Sequence, residues 1–519
     1  MRRALSGVSV VELGEGIAPA YCGKLFADLG ADVVRVDVAG GGRTPGRSAG
    51  ERGSGGDGLA LHLHTNKRSV ALEPESVEGR RLVGKLVKRA DLVIESRGRG
   101  TLSDWSLDWD DVHARRPATS VVHISGFGAT GPYSGYQWED IVVQAMGGCF
   151  LAQGSPDQVP VRLPPHVVLY FVGHVAAVGG LAALTAAGSG QAGSFVDCSA
   201  VESLATMPSR QAFMLGYQYR GCQPPPPELQ ASSTATLIPT GVFPCADGYV
   251  ALMSTTQQLN EMLEVLGDPE AKAAFEHPDA FNRPETKEAL DVAVYTWLMA
   301  RTRAEATAEA QAAGWPLAGV NGAGEVLEAD HLHQRNFWTH SDDPRHGAID
   351  LPGPWCRFAE GGWALRRSAP LMGQHNEELN AQLATDPVGP TPGPATATAP
   401  ARPPLEGVRI VDLTVVWSGP YATMFLADLG AEVIRVENPF VLPPTTKGYH
   451  PRPVLTNPGS LGSLYGPPRP GGPDRPWNRH AMNNSLARNK LSVTIDTRRA
   501  EGVDLLMRLA EQSDIFIDN

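Results

Sequence analysis

The sequence predicts a doubly wound α/β fold that begins twice, and three observations carry that expectation. Residues 405–437 repeat residues 5–37 at a constant offset of 400, matching at 14 of 33 positions, where roughly two would be expected from average residue usage. A second repeated pair starts at Asn66 ("NKRSVALEPESVEGRRLVGKLVKRADLVIES") and at Asn489 ("NKLSVTIDTRRAEGVDLLMRLAEQSDIFIDN"). Inside each copy, short apolar runs alternate with helical patterns, the signature of a parallel sheet covered by helices.

In order, "VSVVEL" reads as a strand, "GEGIAP" as a turn, "AYCGKLFADLG" as a helix closing at Gly30 and "ADVVRVD" as the next strand. "SVAL", a helix near Glu78–Arg89 with Leu82, Val83, Leu86 and Val87 on one face, "DLVIES" and "SVVHIS" continue the alternation. "GHVAAVGGLAALTAAG" is a small-residue helix suited to close packing, and "QAGSFVDCSAVESLATM" a strand entering a helix. "CQPPPPEL" marks a domain crossing, and "GVFPCADGYVALMS" two strands about an Asp247-Gly248 turn. The expected organisation is a large domain over 1–224, a smaller α/β domain over 225–340, a return segment over 341–384, a Pro/Ala/Thr-rich linker over 385–404 and the start of a second large domain over 405–519. A Pro/Gly-rich excess between Asn438 and Asn489 reads as a surface insertion or a lid.

Composition limits function. A net charge of −12 argues against general nucleic-acid or lipid-surface binding. Six scattered cysteines without a CxxC suit a reducing cytoplasm. The N-terminus lacks a long apolar core, so no signal peptide is expected, and no run approaches the roughly 20 apolar residues that span a bilayer. Gly14 and Gly16 are followed by Pro19 instead of a third glycine, which disfavours a dinucleotide fingerprint. The two "HLH" segments, 62–64 and 331–333, lack a third spaced ligand, so no metal is expected.

Nine segments in order resemble the family III CoA-transferases, the group that includes formyl-CoA transferase, carnitine CoA-transferase and the α-methylacyl-CoA racemases. They are "LFADLGADVVRVD", "NKRSVAL", "ADLVIES", "ISGFGATGPYSGY", "DIVVQAMGG", "GHVAAVGGLAALTAAGSGQAGSFVDCSAVE", "GVFPCADGYVAL", "GWPLAGV…EVLEADHLHQRNFW" and "APLMGQHNEEL". They span nearly all of residues 5–380, and the second copy resembles the opening third of such a unit. The resemblance implies a Rossmann-like large domain, a smaller domain and interlocked dimers, which two covalently joined copies could replace as a pseudo-dimer. It implies transfer of CoA from an acyl-CoA to a carboxylic acid through an aspartyl-CoA thioester, with CoA as substrate and no resident cofactor.

This sequence departs from the family pattern at the nucleophile. In the segment "D-x-x-x-G-x-x-A-A-x-G", Gly173, Ala176, Ala177 and Gly179 keep register, and Leu169 stands where the aspartate belongs. Candidate substitutes are Asp157, Asp140, Glu139 and His166. "E-N-F-x-P-G" is replaced by "ESRGRG", with Ser96 and Arg97, and two basic positions have become Asp104 and Gln137. Glu139 stands in place of the racemase histidine, so racemase chemistry is not expected. The positions expected near CoA are Arg35, Asn66, Lys67, Arg68, Ser96 and Arg97 in the first copy and Arg435, Asn489, Lys490 and Asn519 in the second. On this reading the second copy is incomplete and would carry its aspartate beyond Asn519. The alternative is a degenerate CoA-binding or scaffolding subunit.

Overall fold

The computed structural model describes residues 3–39, 56–96, 101–150, 159–219, 238–254, 258–277, 280, 283–385, 402–437 and 481–519. The first copy opens with β1 (Ser9–Glu12), α1 (Ile17–Asp28), β2 (Asp32–Val38), α2 (Gly56–Leu63), β3 (Arg68–Leu72), α3 (Val77–Arg89) and β4 (Leu92–Ser96). It continues with α4 (Trp109–Arg115), β5 (Ser120–Ser125), α5 (Asp140–Met146), α6 (Val167–Gly188), β6 (Phe195–Ser199), α7 (Ala200–Ala205) and α8 (Pro208–Tyr219). The six strands form one parallel sheet in the order β3-β2-β1-β4-β5-β6. The order reverses between β1 and β4, which opens a crevice at the C-terminal ends of those strands.

Two apolar layers sandwich the sheet. On one face α1 is buried along its whole length and α6 lies against it. Their approach depends on glycine: a Cβ on Gly173 would stand 2.8 Å from the Ala18 carbonyl oxygen, and one on Gly180 would stand 3.0 Å from the Phe26 ring. On the other face α3 buries Leu82, Val83, Leu86 and Val87, with Ser76 capping its N-terminus at 2.8 Å and Lys88 and Arg89 in its last turn.

The smaller unit holds a three-stranded sheet of β7 (Thr240–Cys245), β8 (Gly248–Met253) and β9 (Leu317–Gly319). It is covered by α9 (Leu259–Leu266), α10 (Pro269–Phe275), α11 (Pro284–Met299) and α12 (Arg303–Ala312) around Trp297 and Trp315. Two short helices, α13 (Ala323–Leu327) and α14 (Asp330–Gln334), and a hairpin of β10 (Trp338–Asp343) and β11 (Gly347–Pro352) follow. The chain then returns to the large domain, where α15 (Asn376–Thr385) packs Leu379 and Leu383 into the α3 layer.

The second copy contains β12 (Arg409–Asp412), α16 (Ser418–Asp428), β13 (Glu432–Glu437), α17 (Ala481–Leu486), β14 (Lys490–Thr494), α18 (Ala500–Glu511) and β15 (Ile515–Ile517). Its parallel order β14-β13-β12-β15 matches β3-β2-β1-β4 of the first. The copies touch where Leu215 of α8 packs with Tyr421, Met424 and Phe425 of α16 and Ala481 and Leu486 of α17.

Two expectations change, and a third lies outside the described residues. Helix α1 starts at Ile17, inside the segment read as a turn, because a proline in the first helical turn lacks only an N–H that has no helical partner anyway. Helix α6 starts at Val167, and its 22 residues are long and apolar enough to cross a membrane by length and composition. It carries no Asp, Glu, Lys or Arg, and it lies in the core against α1 and the sheet. The Pro/Gly-rich insertion of the second copy falls outside the described residues, apart from α17 at its end.

Candidate active site

The crevice at the end of β1 is lined by a glycine turn. Gly14 and Gly16 have φ of 80° and 120°, which glycine adopts without a Cβ penalty. A Cβ on Gly14 would stand 2.9 Å from Ser96 Oγ. Ser96, ending β4, donates its hydroxyl to the Glu15 carbonyl at 2.7 Å and so ties the turn to the neighbouring strand. In the second copy the equivalent Asn519 does this twice: its Nδ2 donates to the Val415 carbonyl at 3.0 Å, and its Oδ1 accepts from Val415 N–H at 2.9 Å.

Behind the turn lies a buried ion pair. Lys67 is wholly buried, and its ammonium donates to Glu12 Oε2 at 2.7 Å and to the Ala20 carbonyl at 2.6 Å. Burial pushes Glu12 up and Lys67 down from their ordinary pKa values, against the mutual attraction of the two charges. Asn66, with φ 66°, donates to Asp28 at 2.8 Å and to the Ala364 carbonyl at 3.0 Å. Arg68 pairs with Asp32 and with Glu378 and Gln382 of α15. Arg35 pairs with Asp37 at 2.8 Å.

Around the start of α6 the polar groups differ. His174 Nδ1 lies 3.1 Å from the Tyr170 carbonyl, an acceptor only, so Nδ1 carries the proton and Nε2 accepts from the Tyr21 hydroxyl at 3.3 Å. Burial pushes the Tyr21 phenol up to about 12 and His174 down, so both stay neutral near pH 7. The Tyr170 ring meets Tyr21 edge-on at 4.6 Å. Asp140, opening α5, accepts from Gln144 Nε2 at 2.9 Å and from the His166 backbone N–H at 3.4 Å. The loop after β5 displays Phe127, Tyr133 and Tyr136 as one aromatic cluster, with Tyr133 and Tyr136 4.7 Å apart and both exposed.

The model of CoA-transferase family III matches residues 5–376 and again 405–519. The chain belongs to this family. It is 29% identical to succinyl-CoA–D-citramalate CoA-transferase of Chloroflexus aurantiacus, over 73% of this chain and 94% of that protein. It is 30% identical to succinyl-CoA:mesaconate CoA-transferase of Haloarcula marismortui, over 74% of this chain and 97% of that protein. Among solved structures, a CAIB/BAIF family protein from Brucella suis aligns with a TM-score of 0.62 at 25% identity, covering 74% of this chain and all of that one. Rv3272 from Mycobacterium tuberculosis shares the fold at a TM-score of 0.59 and 21% identity, covering 73% of this chain and 99% of that one. CoA is a substrate in this family and not a resident cofactor, and an acyl-CoA with an acceptor acid fits its chemistry.

For a family III CoA-transferase the first copy has an unusual helix start. Leu169, which stands where the sequence comparison with the family expects an aspartate, lies in the first turn of α6, half-buried and packed against the core. Of the candidate substitutes, Glu139 is the exposed N-cap of α5 and His166 the N-cap of α6, with φ 73°. Asp157 and Arg97 lie outside the described residues. The structure brings Asn66, Lys67 and Arg68 together at the start of β3 with Arg35 on the adjacent strand, and all four are buried. Asn489 and Lys490 repeat the arrangement: Asn489 donates to Asp428 at 2.8 Å, Lys490 donates to Asp412 at 3.0 Å, and Arg435 is buried on β13. Sequence reading missed Tyr21, whose hydroxyl bond to His174 joins residues 153 positions apart. Its one visible signal is that the repeat preserves it as Tyr421.

Proposed function

We propose that the chain moves CoA from an acyl-CoA of the succinyl-CoA class to a second carboxylic acid through an enzyme-bound aspartyl thioester. The observation that carries this reading is the family's match to both copies, over residues 5–376 and 405–519, on a sheet whose crevice is lined by a glycine turn. Backbone N–H groups of such a turn are suited to stabilising the oxyanions that form at each acyl transfer. The donor class is supported by the activities for which the similar proteins are named: succinyl-CoA transfer to D-citramalate, to mesaconate and to L-malate.

In this reading Arg35, Asn66, Lys67 and Arg68 hold up the crevice from behind. Contact with CoA then falls to the Gly14–Gly16 turn, Ser96 and the aromatic loop. Two copies in one chain act as a pseudo-dimer through α8, α16 and α17. The free thiols at Cys22, Cys149, Cys198, Cys245 and Cys356 support a reducing, cytoplasmic setting. The test is incubation with succinyl-CoA and a panel of mono- and dicarboxylic acids, read by mass spectrometry of the CoA esters. A new acceptor-CoA is expected with a dicarboxylic acid; succinyl-CoA left unchanged with every acid contradicts the reading.

A second reading, CoA binding without turnover, is favoured by the hydrocarbon at Leu169. It predicts a CoA-dependent rise in melting temperature with no new CoA ester.

A further inference from the structure

We propose that Asp140, reaching over from α5, supplies the acyl-accepting carboxylate that α6 lacks. This rests on the transfer reading above. A family III reaction needs a carboxylate at the start of α6, and Leu169 cannot provide one. Asp140 stands at that helix start by a different route. Its Oδ2 accepts from the backbone N–H of His166, three residues before Leu169, and from Gln144 of its own helix. Gln144 is fully buried, and its Oε1 accepts from Leu163 N–H at 2.9 Å. One helix therefore fixes both the carboxylate and the segment leading into α6.

The second oxygen, Oδ1, is shielded from solvent and takes no hydrogen bond among the described residues. A carboxylate oxygen without donors keeps its electron pair for attack, whereas each donated hydrogen bond would stabilise the charge and weaken the nucleophile. The segment leading into α6 lies against α5 through the His166 N–H on Asp140 and the Leu163 N–H on Gln144; Val159, Val161 and Val167 in it are exposed, while Leu163 packs against the core, so a thioester reaches Oδ1 only when that segment moves aside. Glu139 points outward without a capping bond, and His166 holds the turn itself.

The steps balance. Asp140 attacks the donor thioester carbonyl; a C–O bond forms, the C–S bond breaks and CoA thiolate leaves. The thiolate attacks the Asp140 carbonyl carbon of the mixed anhydride and expels the donor acid as its carboxylate. The acceptor carboxylate then attacks the Asp140–CoA thioester, thiolate leaves, and its attack on the acceptor carbonyl yields acceptor-CoA and regenerates Asp140. No net proton or electron is exchanged.

The test combines trapping with substitution in the full chain. Wild-type protein is mixed with succinyl-CoA, quenched with hydroxylamine, digested and mapped. The expected result is a hydroxamate on Asp140. Asp140→Asn keeps an oxygen acceptor for Gln144 and His166 while removing the charge, so its melting temperature is expected to match wild type while transfer falls by more than about 10³-fold. A hydroxamate on another carboxylate, turnover without a hydroxamate on Asp140, or an Asp140→Asn variant within about threefold of wild type overturns this assignment and leaves the transfer reading standing. Wild-type protein that gives neither acceptor-CoA nor hydroxamate overturns both. The trapping arm needs no variant to fold.

Discussion

The two copies build the same lock with different parts. In the first, Lys67 meets Glu12 beneath Gly23; in the second, Lys490 meets Asp412 beside Thr423. A Cβ on Gly23 would stand 2.0 Å from Glu12 Oε2, so the longer carboxylate requires a glycine on the facing helix. The shorter Asp412 leaves room for Thr423, whose hydroxyl donates to it at 2.7 Å. Asp412 also accepts from the Thr414 backbone N–H at 2.9 Å. The consequence is opposite electrostatics. Burial pushes Glu12 up, against the hydrogen-bonded Lys67 and the more distant charge of Arg35. Burial also works to raise Asp412, but Lys490, Thr414 and Thr423 together hold it below its ordinary value. A buried charge settles by the number of donors it meets as much as by its partner's charge.

The largest expected effect separates the two lysines. Lys67→Met strands Glu12 without a donor and should cost about 3–5 kcal/mol, read by urea denaturation of the full chain. Lys490→Met should cost about 1–2 kcal/mol less, because Thr414 and Thr423 still solvate Asp412. Equal losses would break the comparison. Next comes an exchange of parts. Gly23→Thr alone should destabilise the first copy by about 1–3 kcal/mol through overpacking. Combined with Glu12→Asp it should recover most of that loss, a coupling of at least about 1 kcal/mol; strictly additive losses would show that the two positions do not compensate. A smaller effect is expected at the turn: Ser96→Ala, at a buried hydroxyl, should cost about 1 kcal/mol, and Asn519→Ala, at an exposed side chain, about half as much.

The last contrast lies in pH. Asp412 is held below its ordinary value of 3.8. Its stabilisation is therefore present above that value and lost as pH falls below it. Glu12 is shifted upward, so protonation relieves a cost there. Hydrogen exchange during acidification should show β12–β13 amides losing protection below about pH 4 before those of β1–β2. Simultaneous loss would remove the distinction.

Much of the fold was legible because repeats and periodicity report on it directly. The offset of 400 laid β1-α1-β2 over β12-α16-β13, and the spacing of Leu82, Val83, Leu86 and Val87 named the buried face of α3. Element starts were less legible: Pro19 resembles a turn residue until it falls in a first helical turn, and α2 follows a glycine-rich stretch without a start signal. The site was read only in part. A basic "KR" pair at a strand end suggests a phosphate clamp, yet the partner that turns Lys67 inward is 55 residues away. The paired change of Glu12 and Gly23 to Asp412 and Thr423 was visible in the repeat alignment, but its meaning needed the distance between them. Leucine at position 169 was readable as a departure from the motif register, whereas Asp140's place beside His166 required the fold that brings α5 to α6.

If CoA passes directly between two acids, as proposed, water takes no part in the transfer. Acceptor acid labelled with ¹⁸O in its carboxylate, incubated with unlabelled succinyl-CoA and the full chain, tests it most directly. Attack by the acceptor on an enzyme carboxyl thioester transfers one acceptor oxygen to the enzyme, and the next turnover passes it to the released succinate. Succinate carrying one ¹⁸O from the acceptor is the expected product. Succinate that takes up its oxygen only from water, with free CoA as the other product, would contradict it.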